Sequence, residues 1–511
     1  MGINTTKGIN RRRFLAAAGL GATGAALTAC TGRSPAPPAA PTTTPPVTSA
    51  PATTTPAADS IDYSALRAKL AGQLVTPDQP GYSTARRSYN PLFDDRRPGA
   101  VAQVSSVSDV QACVSAAAGT HTPIAARGGG HSYLGASTPD NALVVDLGRL
   151  SAISPQPDGS VVVGAGTRLI DLYAALAAAG RCLPGGSCPS VGVAGLTLGG
   201  GIGVLARRYG LTCDQLTSAT VVTADGTVRT ASPGSEPDLY WALRGGGGGN
   251  LGIVTSFTFS TAPAPSPTVF SLRFPAGSVG QVLGEWQHWL AGAPDELWSN
   301  CTVTVGSPPT CRVGGCFLGS PAGLAPLLTS LAGRAGVQPV SKYSKQMSYL
   351  DAMRYFAGCA GDSVAQCHLS SAGGALGRES FVASSRVLAA PVTDLTPVVR
   401  ACTGPAGMSV IFDGLGGAVG RVAADATAFP HRSALATVQI YLDTTAAAQA
   451  ASTAQVTSVR DELAAVLGPG AYVNYLDRTT PRQDYYLGNL ARLTQVADRY
   501  DPTAVFSTLG R

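Results

Sequence analysis

From Ile61 onward the chain switches repeatedly between the two-residue alternation of strands and the three-to-four-residue spacing of helices. Ser108 to Gln111 has the form of a capping box and predicts a helix that ends near Gly119. A short strand over 123–127 follows, and then a run of glycines. Apolar stretches predict strands over 142–147 and 160–165, and a helix over 169–179 closed by Gly180. After a glycine-dense loop from Gly185 to Gly203, strands over 219–223 and 227–231 flank the turn Ala224, Asp225, Gly226, a hairpin signal. A short helix over 237–243 precedes five consecutive glycines, 245–249, and an alternating strand over 253–259. Neither heptads nor long repeats occur. The mixture reads as α+β.

The prolines between Ala262 and Pro267 mark a domain boundary. Beyond it, from Thr268 to about Val456, glycine clusters thin out, and the pattern predicts one antiparallel sheet with covering helices. The last fifty residues change again, with aromatics and amides in Tyr472, Asn474, Tyr475, Tyr485, Tyr486 and Asn489. At 511 residues and 44% apolar content the chain can bury a large core and hold more than one domain.

The first sixty residues are of another kind. Arg11, Arg12 and Arg13 precede an apolar run that ends at Ala29, shorter than the roughly 20 residues a membrane span requires. The arginines before Phe14 and Leu15 fit a twin-arginine export signal over 1–29. Leu27 to Cys30 resembles a lipobox, with Cys30 as the lipidated residue; an ordinary cleavage site beside an incidental cysteine is the competing reading. Residues 30–60 are Pro, Thr and Ala with little to pack, which predicts an extended tether. An exported, cell-surface lipoprotein held to the membrane only through Cys30 is the expected location. The net charge of +6 belongs mostly to this end, since residues 1–58 carry Lys7, Arg11, Arg12, Arg13 and Arg33 and no acid. The remainder is near neutral and has no electrostatic footprint for nucleic acid.

Eleven cysteines suit an exported protein. Cys359 and Cys367, in a glycine-bearing stretch, are the preferred disulfide. Cys301, Cys311 and Cys316 fall on one expected hairpin, and their pairing is open, as is that of Cys113, Cys182, Cys213 and Cys402. There is no Cys-x-x-Cys and no His/Cys cluster with zinc spacing, so no metal site is expected.

Two glycine loops carry the candidate chemistry. Gly201, Gly203 and Ala206 match a dinucleotide fingerprint, with Asp225 near the ribose-binding position. That fingerprint must follow a strand, and Gly192, Gly195 and Gly199 interrupt the stretch before it. The alternative treats both loops as backbone cradles, in which glycines let main-chain N–H groups approach phosphate oxygens. Arg127, Gly128, Gly129, Gly130, His131 and Ser132 could wrap a pyrophosphate in this way. Taken alone, His131 reads as a structural histidine and Cys188 as half of a disulfide.

Together the loops are highly specific. Gly128 to Ser132, Gly185 to Val193, Leu198 to Gly203, Arg208 to Leu211, Asp238 to Asn250 and Gly252 to Val254 resemble the berberine-bridge-enzyme-like branch of the FAD-linked oxidases. Tyr472 to Tyr475, Tyr486 to Asn489 and Tyr500 to Pro502 are similar to that family's closing segment. The likeness runs from about Tyr89 to Phe506 and is weakest in the middle third.

The resemblance implies a two-subdomain PCMH-type FAD-binding domain over 61–262, a substrate domain over 263–460, and a closing segment, 461–511, that returns to the flavin. It implies FAD attached twice, by His131 to the 8α-methyl and by Cys188 to C6. Gly192, Gly195, Gly199, Gly200, Gly203, Gly252 and Val254 would contact the cofactor. Val191 matches the oxygen-gate position, where a small branched side chain leaves room above flavin C4a. Tyr475 would be the base, with Tyr472, Asn474 and Asn489 orienting substrate or ring, and His431 is read as structural. Leu196 departs from the pattern, because many relatives carry His there. The implied activity is oxidation of an alcohol or carbohydrate with molecular oxygen as acceptor, or dehydrogenation with another acceptor.

Overall fold

A computed structural model describes residues 60–506. The expected export signal, Cys30 and nearly all of the tether lie outside the described residues. Three large sheets and a two-stranded one, Arg181–Cys182 with Ala262–Pro263, organise these residues. The first is four-stranded, in the order Gln73–Val75, Ala100–Gln103, Leu143–Asp146, Ile124–Arg127, and its last two pairings are parallel. The second is five-stranded and antiparallel, in the order Ile153–Pro155, Ser160–Gly164, Ile253–Ser260, Leu216–Val222, Val228–Ala231. The third has seven antiparallel strands, ordered Ser341–Gln346, Thr268–Arg273, Thr310–Phe317, Leu297–Thr304, Met408–Gly414, Ala436–Asp443, Phe381–Leu388. The α+β reading and the antiparallel sheet both hold.

The seven-stranded sheet works because its side chains alternate between faces. Cys301, Val303, Val313, Val410, Phe412, Val438 and Ile440 point one way, into a core shared with Trp286, Leu331 and Leu463. Those three come from the helices Val279–Ala291, Pro321–Ala335 and Gln449–Leu467. The intervening residues Asn300, Thr302, Arg312, Ile411, Asp413 and Gln439 face a cavity instead. Register sets them side by side: Thr302 pairs with both Arg312 and Ile411, Ile411 with Gln439, and Asn300 with Asp413.

Several local readings shift. The helix Val107–Thr120 is capped by Ser106, whose Oγ accepts from Asp109 N at 3.1 Å, so the Ser108–Gln111 box is two residues out of register. Gln111 instead donates to Gly226 O at 2.8 Å. The loop over 185–203 holds a short helix, Val193–Leu198. That helix, not a strand, precedes Gly201 and Gly203, and only a single helical turn, Ala206–Tyr209, follows. Asp225 sits in its hairpin turn, bonded to Thr227 N at 3.0 Å and Arg229 at 2.9 Å, so the dinucleotide fingerprint has no βαβ unit to open. The helix Gln449–Leu467 runs across position 460, so the chain does not break there.

The closing segment packs into the same core as the first two sheets, through Tyr472, Tyr485, Tyr486, Leu493 and Tyr500. Tyr486 Oη donates to Gly246 O at 2.9 Å, which ties this segment to the five-glycine loop. Cys359 and Cys367 are disulfide-bonded, while Cys301, Cys311 and Cys316 stay unpaired on their hairpin.

Candidate active site

A cavity of about 340 Å³ is bounded by both glycine loops, the polar face of the seven-stranded sheet and the segment 472–476. On the loop side, the strand Ile124–Arg127 ends in the turn 128–132, and the segment 186–192 meets it. A Cβ on Gly129 would lie 2.3 Å from Gly192 N, and one on Gly192 would lie 2.3 Å from Gly129 N. These two glycines exist so that the loops can touch backbone to backbone. The contact brings His131 and Cys188 to one cavity wall. His131 Nε2 is 3.0 Å from Ser190 Oγ, and the Tyr89 ring stacks on the imidazole at 3.8 Å between centroids.

The rest of the lining is polar and aromatic. Tyr475 lies parallel to Tyr133 at 5.3 Å and edge-on to Tyr472 at 5.0 Å. Tyr133 Oη accepts from Gln439 Nε2 and its ring meets Phe381 edge-on at 5.1 Å. Asn300 Nδ2 is 3.4 Å from Asp413 Oδ1. Tyr472 is fully buried, and its Oη accepts from Gly201 N at 3.0 Å and Asn474 Nδ2 at 2.9 Å. Burial pushes the Tyr472 phenol up to about 12, more than these donors lower it. Tyr472 therefore stays protonated, and its role is to hold Gly201 and Asn474.

Of the residues singled out in the sequence, Gly128, Gly129, Gly130, His131, Ser132, Cys188, Val191, Gly192, Gly195, Gly203, Gly252, Val254, Asn474 and Tyr475 border the cavity. Four do not. Arg127 is buried and spends its guanidinium on Asp146, with Nε to Oδ2 at 3.2 Å, and on the carbonyls of Ala85 and Arg87. It is a strut and not a pyrophosphate ligand. Gly199 packs under the Asn474 amide, and Gly200 against Phe429. Asn489 donates to Ala424 O at 2.8 Å and Thr427 O at 3.0 Å, bracing a loop away from the cavity. His431 is buried, with Nε2 2.7 Å from Ala471 O; burial pushes it down to about 4, so it is neutral and structural. Tyr133, Asn300, Arg312, Asp413 and Gln439 escaped sequence reasoning. Tyr133 was findable, two residues after His131; the others sit in strands without a motif.

Two observations test whether the cavity suits a flavin dinucleotide. Gly195 borders it, and a Cβ there would meet no protein atom within 4 Å, so a ligand can lie against that backbone. Ser137 also borders it, with a buried Oγ that has no hydrogen-bond partner among the described residues. Buried hydroxyls are rarely left unsatisfied, and a polar ligand would complete this one. The residues fit the group.

Comparison with known proteins agrees. Residues 98–232 match the family model for an FAD binding domain, and residues 471–508 match the model for berberine and berberine-like proteins. The chain is thus an oxidoreductase that uses FAD. It is 34% identical to the FAD-linked oxidoreductase YgaK of Bacillus subtilis, over 86% of this chain and 96% of that protein. Identity to the chitooligosaccharide oxidase of Gibberella zeae is 31%, over 80% and 86%. Among solved structures, the glucooligosaccharide oxidase of Acremonium strictum, with 6-S-cysteinyl, 8α-N1-histidyl FAD, is 27% identical over 86% of this chain and 97% of that one, with a TM-score of 0.78. This protein belongs to the berberine-bridge-enzyme-like family of FAD-linked oxidoreductases.

Proposed function

We propose that the protein is an oligosaccharide or alcohol oxidase whose FAD is bonded to both His131 and Cys188, and that dioxygen is the acceptor. The observation that carries this reading is the convergence of His131, Cys188 and Tyr475 on one cavity that a polar sheet face also lines. Bound there, the flavin supplies hydride acceptance from a substrate C–H and delivery of the electrons to dioxygen as hydrogen peroxide. The chain's own residues do the rest. Asn300, Asp413, Gln439 and Arg312 offer hydrogen bonds to substrate hydroxyls, and Tyr133 presents an aromatic face. Tyr475 Oη takes the hydroxyl proton. Val191 leaves the approach to the ring open for oxygen.

The relatives named for sugar oxidation support the carbohydrate choice. We also propose export as a lipoprotein anchored at Cys30, on the strength of the twin arginines, the lipobox-like residues and the tether. The deciding experiment denatures purified protein and maps its peptides. Yellow colour should stay with the precipitate, on a species containing both His131 and Cys188, and neutral oligosaccharides should bleach the flavin and yield peroxide in air. Colour released wholly to the supernatant would end the double attachment. Bleaching without peroxide would make the protein a dehydrogenase.

A further inference from the structure

Ser190 lies between the attachment cysteine and the oxygen-facing valine, and it is 7% exposed. Its loop is fixed from outside: Leu169 N and Ile170 N, at the start of a helix, donate to Val191 O and Pro189 O at 3.0 and 3.2 Å. The hydroxyl so placed stands 3.0 Å from His131 Nε2. From the other side the imidazole is clamped by Tyr89, whose N–H donates to Gly130 O at 3.0 Å. Arg378 holds that clamp by donating to Ser88 O at 2.9 Å and to Tyr89 O at 3.2 Å. The ring plane and the environment of one ring nitrogen are thus set before any bond to flavin forms.

A neutral imidazole carries one N–H, and the partner of one nitrogen decides the state of the other. We propose that Ser190 is the positioning residue for histidyl attachment: it accepts from Nε2–H and so keeps the lone pair on Nδ1, the atom that bonds to the flavin 8α carbon. This rests on the doubly attached flavin proposed above. The Nδ1–C bond forms as one 8α C–H bond breaks; its proton goes to solvent and its electron pair to the ring system. The imidazole, cationic after the bond forms, loses its Nε2 proton. The ring's two electrons then pass to dioxygen, which takes two protons to become hydrogen peroxide. A hydroxyl suits both ends of this sequence. It accepts a charge-assisted hydrogen bond while the imidazole is cationic, then rotates and donates to the Nε2 lone pair of the product.

The test follows flavin loading on each attachment residue by peptide mapping, in a time course after induction of the full chain, with no turnover assay. Ser190→Ala should load His131 about ten- to a hundredfold more slowly than wild type, the size of one hydrogen bond to a charged group. Cys188 should load normally in the same sample, and Ser190→Thr, which keeps a hydroxyl, should restore His131. In a Cys188→Ala background, adding Ser190→Ala should remove most of the flavin that survives denaturation. Wild-type loading of His131 in Ser190→Ala overturns the proposal. So does loss of both attachments together, which would assign Ser190 to folding. A wild-type protein with no flavin on His131 would instead overturn the double attachment itself.

Discussion

Tyr472 and Tyr475 stand three residues apart, yet their surroundings give them opposite uses. Tyr472 is buried under two N–H donors with its phenol pushed up to about 12, while Tyr475 reaches the cavity and stacks on Tyr133. Replacing Tyr475 with Phe keeps the ring and removes the proton acceptor. Flavin content should persist while substrate-driven reduction, followed by stopped flow, slows by about 10²–10⁴, the usual reach of a general base. An unchanged rate and pH profile would take Tyr475 out of the chemistry. Val191 is tested in the other half-reaction: Val191→Leu should reoxidise more slowly in air than the parent, with reduction by substrate little altered. Both residues are legible in the sequence because they fall inside dense motifs. Tyr133 is also within reach of such reasoning, but its pairing with Gln439 joins segments far apart in the chain.

At the scale of elements, the segment carrying Tyr475 is pinned just beyond that residue. Asp477 accepts from Thr479 N and Thr480 N, each at 2.8 Å, from Ser384 Oγ, and from Arg460 Nη1 at 2.9 Å. Burial opposes its ionisation, but the hydrogen bonds from Ser384, Thr480 and Thr479 outweigh it and hold the carboxyl down to about 2. A carboxyl depressed in the folded state stabilises the fold above its unfolded pKa near 4 and loses that contribution as pH falls toward 2. The contribution is on the order of 2 kcal/mol. Denaturant titrations at pH 3 and pH 6 should show Asp477→Asn destabilised at pH 6 and closer to the parent at pH 3. Equal destabilisation at both values would deny the linkage. No motif announces Asp477; its distant partners Ser384 and Arg460 come from the strand Phe381–Leu388 and the helix Gln449–Leu467, which only folding brings to it.

For the whole molecule, the proposed anchor predicts that Cys30→Ser shifts the protein out of the membrane fraction and changes its mass, and unchanged fractionation would remove the lipoprotein assignment. Local chemistry was readable: glycine runs, a histidine and a cysteine in dense motifs, and strand alternation that marked an antiparallel sheet. These need only backbone sterics and side-chain periodicity, which act between near neighbours. The proposed attachment residues, His131 and Cys188, also came from the sequence, through a resemblance spread over both loops. The sequence could not show which glycines serve a ligand and which serve each other, since the contact between Gly129 and Gly192 exists only once two separate loops meet. Nor could it show that Arg127 and Asn489 spend their donors on structure, because their acceptors lie elsewhere in the chain. The substrate wall was decided by tertiary structure too: Arg312, Thr302, Ile411 and Gln439 come from four strands and become neighbours only through register. One polar residue in a strand is unremarkable; several aligned across a sheet, on one cavity with a tyrosine and two glycine loops, make a site.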